Sequence, residues 1–347
     1  MTFKKLIKEL AQWIVAFIAA IFILNLLTFS FYHPVIEIHR NGGASPGLMI
    51  PHQWGLLGLE GYGIQTTDSR GYVNPDLPLA KDYYCVTGAS HTEGFHSRKG
   101  ERFSDYLNSK FGYTDSLKFY NIAHTAYQFD EIAMQFPGIV AEFPDMKGLI
   151  IELDSTDYSL EQLENSLDQT GYSADEDSIE ALLSRQTTKD KIVNFVKSSF
   201  PILRELSFQH ETYKTFKKSS GASEREADAS EFDPKAYTAA LSKVMDLIRS
   251  EYSGPIIIVF HPNTILHADG SMEIQELPTD KLFAEECKKH DIAFIDLSDR
   301  FYAAYYDDHT LPTGFWNTTM NSGHINKYGH QIIADALYEY LISEGIN

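Results

Sequence analysis

The sequence predicts an α/β fold in which a central parallel sheet carries helices on both faces. Short apolar runs alternate with amphipathic stretches, a rhythm typical of parallel strands joined by crossover helices. Hydrophobic residues make up 43% and charged residues 22% of the chain, the composition of a folded globular protein. The 347 residues leave room for one large domain carrying an insertion. An N-terminal transmembrane helix and a mainly helical insertion complete the predicted architecture.

Five apolar runs bounded by turn or polar residues are the predicted buried strands. They cover residues 82–86, 117–121, 148–153, 255–260 and 292–296. The amphipathic stretches predict helices over residues 103–111, 127–136, 236–252, 280–290 and 328–342. Residues 81–347 are therefore the predicted α/β domain. Residues 33–80, rich in Gly and Pro, form a lead-in segment without an independent core.

Residues 10–32 are the predicted transmembrane anchor. Lys4, Lys5 and Lys8 precede about twenty uncharged, mostly apolar residues, enough to cross a bilayer as a helix. The basic residues place the tail, residues 1–9, in the cytoplasm and the body of the chain outside the cell membrane. A cleaved signal peptide is the alternative, but the apolar run is long and ends in bulky residues rather than a small-x-small site.

Residues 158–253 are the predicted insertion, because no convincing strand occurs there. Within it, residues 161–180 hold seven acidic residues and no basic one. Two interpretations stay open: a helical cap beside a cleft, or a solvated insertion with an acidic loop.

The net charge of the chain argues against one class of partner, and the sequence motifs argue against most cofactors. With 29 basic and 48 acidic residues the net charge is −19, which argues against nucleic-acid binding. No glycine-rich nucleotide-binding pattern occurs, so we expect no cofactor. His91, His96, His261 and His267 lack acidic or cysteine partners at recurrent spacing, and no metal site is predicted.

The two cysteines cannot form a disulfide framework. An extracytoplasmic location would permit a Cys85–Cys287 disulfide, but two buried thiols are the preferred interpretation. Asn317-Thr318-Thr319 is formally a glycosylation sequon.

A serine follows the first strand of the predicted domain at a turn of small residues. The strand runs into Thr87-Gly88-Ala89-Ser90, and sites in open α/β sheets lie at the carboxyl ends of strands. The Ser90 hydroxyl is then placed to attack, and its N–H at a helix start can stabilise an oxyanion. Serine is also a favoured helix cap, so this pattern alone does not establish catalysis.

A histidine near the other end of the sequence supplies a partner for that serine. His324 lies just before the last predicted helix. From there it can reach back to the first strand and accept the serine proton as a general base.

Together the two ends resemble the SGNH, or GDSL-type, hydrolase family. Gly88-Ala89-Ser90 followed by Gly94 matches the family's Gly-Asp-Ser block, with Ala89 in place of Asp. Asn321-Ser322-Gly323-His324 matches its Asp-x-x-His block. The resemblance covers roughly residues 60–160 and 250–347 and includes residues 68–74, which look like the lead-in of membrane-anchored members. It implies a three-layer α/β/α SGNH-like fold, with Ser90 as nucleophile and His324 as base.

Asn321 stands where the resemblance implies the acid that orients His324. An amide can hold a ring nitrogen, but it cannot stabilise the imidazolium as a carboxylate does. A backbone carbonyl near residue 321, or a carboxylate such as Asp307 or Asp308, is expected to compensate.

The oxyanion blocks of the family are altered as well. Residues 124–126 contain no glycine, and Thr156 replaces the Asn of the third block. The resemblance leaves Thr125, Ala126, Thr156 and Asn121 as the candidate oxyanion and substrate-binding residues.

The resemblance implies serine ester chemistry outside the membrane. The expected reaction removes or transfers an acyl group, acetyl foremost, on a cell-envelope glycan or a small ester, and anchored relatives suggest a membrane-bound acyltransferase as partner. The alternative is a catalytically weak or inactive SGNH-fold module that binds glycan or that partner. An aromatic cluster before His324 would line a sugar cleft or serve only packing; its members are Tyr302, Tyr305, Tyr306, Phe315 and Trp316.

Overall fold

A five-stranded parallel sheet forms the centre of the fold. The computed structural model describes residues 3–38, 47–168, 178–203 and 232–346. The sheet strands are β6 (Leu79–Thr87), β7 (Leu117–Asn121), β8 (Gly148–Leu153), β9 (Ile256–Phe260) and β12 (Ala293–Asp296). They lie in the order β12-β9-β8-β6-β7, with every neighbouring pair parallel. The five predicted runs are these five strands, which confirms the predicted α/β sheet.

Helices cover both faces of this sheet. One layer contains α3 (Phe103–Lys110), α11 (Ser298–Tyr306) and α12 (Lys327–Ser343). The other contains α4 (Phe129–Met134), α5 (Phe136–Glu142), α9 (Pro234–Glu251) and α10 (Pro278–Lys289). Successive side chains of a strand point to opposite faces, so Tyr83 and Cys85 of β6 join the second layer's core while Tyr84 and Val86 join the first. The result is a three-layer α/β/α domain.

The two cysteines lie in one of these cores. Cys85 of β6 and Cys287 of α10 are fully buried, and both thiols are free. Burial raises the pKa of the Cys85 thiol well above its ordinary value. This confirms the interpretation of two buried thiols.

The order of the strands fixes where a site can form. From β6 the chain moves outward to β7 and then returns across β6 to β8. The connections at the carboxyl ends of β6 and β8 therefore leave in opposite directions and open a crevice, which is where open α/β sheets bind ligands. The short helix α2 (Ser90–Glu93) begins there.

The lead-in segment folds over the same end of the sheet. It contains β1 (Tyr32–His33), β4 (Trp54–Leu57) and β5 (Gly63–Thr66) in an antiparallel sheet, beside the pair β2 (Glu37–Ile38) and β3 (Leu48–Met49). The Gln65 amide donates hydrogen bonds to the carbonyls of Gly94 and Ser97, 3.2 and 2.7 Å away. The Asn74 amide donates to the Asn121 carbonyl at the end of β7, 2.8 Å away. These bonds fasten the segment to the α/β domain.

The insertion between β8 and β9 is helical where it is described. It contains α6 (Leu160–Asn165), α7 (Ile179–Arg185) and α8 (Thr188–Ser199). Helix α9 was included in the predicted insertion, yet its buried residues belong to the sheet's core, so it is the crossover helix between β8 and β9. Residues 169–177 of the acidic run lie outside the described residues.

The N-terminal helix and a small hairpin after β9 are the two elements that remain. Helix α1 (Phe3–Phe29) is, within the described ranges, the one helix long and apolar enough to cross a membrane. A small hairpin of β10 (Thr264–Leu266) and β11 (Met272–Ile274) follows β9.

A glycine permits the closest approach between the lead-in and the domain. A Cβ atom on Gly63 would lie 2.0 Å from the Phe95 carbonyl oxygen and 2.5 Å from that of Ser97. Both atoms are backbone, and they belong to the segment that follows α2. No side chain can enter this space unless the segment moves.

Gly63→Ala is therefore predicted to lower the free energy of unfolding by about 1–3 kcal/mol, the usual cost of overpacking. Chemical denaturation of the detergent-solubilised full chain measures the change. Ile64→Ala on the same strand is the matched control, since the Ile64 side chain is 47% exposed. Equal denaturation midpoints for Gly63→Ala and the wild type would contradict the prediction.

Candidate active site

Ser90 and His324 meet at the carboxyl edge of the sheet. Ser90 is the first residue of α2, directly after the turn that ends β6. His324 precedes α12, next to Ile325, which forms an isolated β-bridge with Thr313. The Ser90 Oγ lies 2.7 Å from the His324 Nε2. The structure therefore brings together the two residues that the sequence paired.

The group that orients His324 is Glu60, on the turn between β4 and β5. Its Oε2 lies 2.9 Å from the His324 Nδ1, and its Oε1 accepts a 2.5 Å hydrogen bond from the His324 backbone N–H. A carboxylate only accepts, so Nδ1 carries the ring proton and Nε2 is left to accept from the Ser90 hydroxyl. The arrangement is a serine–histidine–glutamate chain.

His324, the residue that Glu60 orients, helps to keep the Glu60 carboxyl group ionised. Burial alone would raise the pKa of this carboxyl, but hydrogen bonds from the His324 ring and backbone, together with the nearby rings of His324 and His96, lower it to about 2. Glu60 is therefore ionised at any pH near neutrality and can stabilise an imidazolium on His324.

Two neighbouring residues hold the Glu60 turn in place. The Asn317 side chain accepts a 2.8 Å hydrogen bond from the Gly61 N–H and donates to the carbonyls of Gly58 and Gly61, each 3.0 Å away. Gly323 has a φ of 89°, and a Cβ atom there would lie 2.0 Å from the Glu60 Oε1. The sequon asparagine thus serves as a clamp, and a glycine before His324 leaves room for the carboxylate.

Asn321 does not occupy the orienting position expected for it. Its side-chain oxygen accepts from the Thr264 hydroxyl and its amide donates to the Thr264 carbonyl, both at 3.0 Å. Both ends of the Asn321 amide bind β10, and Glu60 occupies the His324 Nδ1. The catalytic role expected for Asn321 is therefore corrected to a structural one. Asp307 and Asp308, at the end of α11, make no hydrogen bond to His324 within the described part of the chain.

His96 packs flat against the ring of His324. The two ring centroids are 3.7 Å apart with an interplanar angle of 21°. Burial foremost, and then the adjacent His324, lowers the pKa of His96 to about 4, although Glu60 opposes this. His96 is therefore neutral near pH 7, which avoids a second positive charge beside an imidazolium.

Glu60, His96 and His324 also form a possible cation site. Their ligand atoms all lie within 4.8 Å of one another. His324, however, directs Nδ1 to Glu60 and Nε2 to Ser90, so a bound ion would have to displace one of these hydrogen bonds. The residues form a complete hydrogen-bonded chain as they stand, and the expectation that no metal is used stays a prediction.

A second layer of histidines supports the site. The Ile325 N–H donates to the His91 Nδ1 at 3.1 Å, which anchors the backbone next to His324. The opposite ring nitrogen of His91 lies 3.6 Å from Asp154. His261, fully buried, lies 2.8 Å from Glu152. The exposed His267 contacts Glu273 on the β10–β11 hairpin, outside this layer.

Two of the expected oxyanion residues are engaged elsewhere. Asn121 is buried, and its amide donates to the Thr92 carbonyl at 2.6 Å. Thr156 is fully buried, and its hydroxyl lies 2.6 Å from an Asp280 carboxylate oxygen and 2.9 Å from the Thr279 hydroxyl. The resemblance matched these two positions to oxyanion blocks of the family. Both side chains instead hydrogen-bond to groups in the protein interior, so the geometry does not support the expected role.

Thr125 lies at the site, and the exposed Ala126 follows it. Thr125 and Ser90 line the same cavity, whereas Ala126 is not among the lining residues and has a φ of 67°. The Thr125 hydroxyl donates to Glu93, and the adjoining His124 N–H donates to the Gly88 carbonyl at 3.3 Å. The turn after β7 is therefore held against the Ser90 turn.

The cavity beside Ser90 is small and is built largely by the lead-in. Its volume is about 150 Å³, which is the size of a cavity that holds a benzene-sized molecule. Besides Ser90, His96 and Thr125, its walls come mostly from the segment that follows α1. The wall residues from that segment are Tyr32, His33, Pro34, Val35, Glu37, Met49, Leu56 and Leu57.

No protein-family model matches this chain, and no curated protein matches it. Solved structures similar to it include a phospholipase A1 from Streptomyces albidoflavus NA297, with 11% identity and a TM-score of 0.39 over 75% of this chain and 99% of that one. A psychrotrophic esterase, EstA from Pseudoalteromonas sp., is 11% identical with a TM-score of 0.38 over 77% of this chain and 100% of that one. An extracellular lipase from Streptomyces rimosus is 11% identical with a TM-score of 0.37 over 74% of this chain and 99% of that one. Likenesses this distant carry no argument about chemistry, and the site's role is inferred from its geometry.

Proposed function

We propose that this protein is a membrane-anchored, extracytoplasmic serine esterase or O-acyltransferase that acts on acyl esters, acetyl foremost, of a cell-envelope glycan. The observation that supports this proposal is the hydrogen-bonded chain from Ser90 through His324 to Glu60. The Ser90 Oγ lies 2.7 Å from the His324 Nε2, and the His324 Nδ1 lies 2.9 Å from the Glu60 Oε2. Three residues from distant parts of the sequence meet in the donor and acceptor order that a nucleophile, a general base and an orienting acid require.

The proposed reaction has two steps. The Ser90 oxygen attacks the ester carbonyl while His324 Nε2 takes its proton, and the collapse of the tetrahedral intermediate expels the alcohol, which receives that proton. Water or a sugar hydroxyl then attacks the acyl-enzyme, with His324 again as base, and returns Ser90 to its starting form. Glu60 stays ionised and stabilises the imidazolium in both steps.

The oxyanion is assigned to backbone donors. Ser90 begins α2, and the first N–H groups of a helix have no partner within it. The turn at Thr125 forms the facing wall of the cavity. These two stretches replace the Asn121 and Thr156 side chains of the sequence-based proposal.

The cavity supports a short acyl group and a substrate close to the membrane. Its volume of about 150 Å³ suits acetyl better than a fatty acyl chain. Tyr32, His33 and Pro34 line it only a few residues beyond the end of α1. If α1 crosses the bilayer with its N-terminus in the cytoplasm, the cavity opens near the outer surface. A membrane-bound acyltransferase could deliver an acyl group there, which makes transfer as reasonable as hydrolysis.

One exposed aromatic residue supports a glycan as acceptor. Trp316 is 81% exposed and follows Phe315, whose ring lies 6.3 Å from that of His96. Its indole offers a flat apolar face to a sugar ring beside the site. Tyr305 and Tyr306 of the same cluster instead bond to the β10–β11 hairpin through Gly270 and Met272, which is packing.

Labelling with a serine-directed fluorophosphonate tests the proposed nucleophile and base. We expect the detergent-solubilised full chain to be labelled and to release acetate from acetylated glycans. Both the labelling and the acetate release should be lost in Ser90→Ala and in His324→Ala. Ser109→Ala, at an exposed serine of α3, is the matched control and keeps them. An unlabelled wild type that still binds envelope glycan would instead support the non-catalytic module.

Glu60→Gln tests the orienting acid. It keeps the shape of the side chain but removes its charge, and the corresponding exchange of Asp for Asn in a serine-protease triad costs about 10⁴ in turnover. We expect a fall in kcat on a soluble acetyl ester of roughly 10³–10⁴-fold. Asp308→Asn, a carboxylate that the sequence offered for the same role, is the control and leaves kcat unchanged. A Glu60→Gln enzyme with the wild-type kcat would remove Glu60 from the mechanism.

The lowered pKa of Glu60 makes the stability of the protein depend on pH. The pKa of Glu60 falls from its ordinary 4.5 to about 2 on folding, so its contribution is present above pH 4.5 and is lost as the pH falls toward 2. Between pH 5 and pH 3 the denaturation midpoint of the wild type should fall more steeply than that of Glu60→Gln. Parallel pH profiles of the two proteins would count against the lowered pKa.

A further inference from the structure

We propose that helix α8 of the insertion lies in the outer membrane–water interface and binds the lipid surface. Its partner is then the headgroup region and upper acyl chains of the bilayer that α1 crosses. The inference rests on the anchoring role proposed for α1 and is independent of the ester chemistry.

The first observation is an apolar stripe that no described element covers. None of the residues of α8 is buried. Ile192, Phe195 and Val196 recur at the spacing of one helical face and are 60, 67 and 37% exposed. Phe200 and Leu203, 37 and 50% exposed, continue the apolar surface beyond the helix. Exposed apolar surface of this extent on one element marks a binding face.

The second observation is a direct bond between this segment and α1. Asn25, near the end of the apolar helix, is only 4% exposed. Its amide donates to the Ser199 carbonyl at 2.9 Å, and its oxygen accepts from the Ile202 N–H at 3.4 Å. Both partners are backbone groups at the point where α8 ends before Pro201. Asn25 thus satisfies a helix end, and the helix end satisfies a polar side chain that lipid would leave unpaired.

The third observation is how close this bond lies to the end of α1. Asn25 is four residues before Phe29, the last residue of α1. At 1.5 Å per residue this is about 6 Å along the helix axis. Amphipathic helices in an interface bury their apolar face about 5–10 Å into the boundary between headgroups and acyl chains. With the end of α1 at the outer interface, α8 therefore joins α1 at the depth that such a helix occupies.

The charge of α8 also suits a lipid surface. It carries Lys189, Lys191 and Lys197 against one acidic residue, Asp190, in a chain whose net charge is −19. At about 100° per residue, Lys197 falls on the far side of the helix, and Lys189 and Lys191 fall on either side of the apolar stripe. From there their ammonium groups can reach outward to phosphate groups while the stems stay against the acyl chains.

Fluorescence quenching by nitroxide lipids tests the proposal. The full chain carries one introduced cysteine labelled with bimane and is reconstituted in vesicles of phosphatidylcholine and phosphatidylglycerol. Native Cys85 and Cys287 are buried and do not compete for the label. We expect a lipid with its nitroxide high on the acyl chain to quench most of the fluorescence at Ile192→Cys and Phe195→Cys. It should leave Asn194→Cys, on the opposite side of the helix, unquenched.

A label on α1 separates the two proposals. Val15→Cys, at a residue 67% exposed in the middle of α1, should be quenched by a lipid with a deep nitroxide. Quenching at Val15 without quenching at Ile192 and Phe195 would overturn the docking of α8, and that face would then belong to a protein partner or a second copy. No quenching at Val15 would overturn the anchor and the docking with it. Hydrolysis of a soluble acetyl ester by the same samples reports on the ester chemistry separately.

A substitution at Asn25 tests the link itself. Asn25→Leu removes both hydrogen bonds and keeps the apolar character of α1. We expect shallow-lipid quenching at Ile192→Cys to fall in this background while deep-lipid quenching at Val15→Cys is retained. Unchanged quenching at Ile192 would show that α8 reaches the interface without Asn25 and would contradict this step.

Discussion

The architecture of the site depends on the double hydrogen bond between Glu60 and His324. One carboxylate binds both the backbone N–H and the ring of the same residue, so it fixes the position of the loop and the orientation of the imidazole together. Several other features serve this contact: the Asn317 clamp, the absence of a side chain at Gly323, and the close packing of the lead-in at Gly63. The lead-in is thus part of the framework of the candidate site.

The sequence predicted the sheet and the Ser90–His324 pair because both leave local signals. Buried parallel strands are continuous apolar runs, and a serine after one strand and a histidine before the last helix lie where such a fold brings its loops together. Glu60 leaves no such signal. It stands between Gly58 and Gly61 in a weakly periodic segment, 264 positions from its partner, and only the folded lead-in places it at the imidazole.

The oxyanion role expected for Asn121 and Thr156 lacks support in the structure for a related reason. Asn121 ends one buried strand, Thr156 comes shortly after another, and both are polar, which is the pattern of a site residue. Whether such a side chain faces a substrate or the interior depends on groups contributed by other elements. Here the Thr92 carbonyl takes the amide of Asn121, and Asp280 at the start of α10 takes the hydroxyl of Thr156. A buried polar group needs a partner, but the sequence does not reveal which partner it finds.

The separation of Glu60 from His324 also bears on how the protein folds as it is synthesised. The N-terminal part of a chain leaves the ribosome first, so α1 and the Glu60 turn precede the last loop and α12 by most of the length of the protein. The hydrogen-bonded chain from Ser90 to Glu60 can close only after the final helix has joined the sheet, because that helix begins shortly after His324. Assembly of the candidate site is therefore a late event in the folding of the newly made chain, reached when Glu60 meets a residue 264 positions later in the sequence.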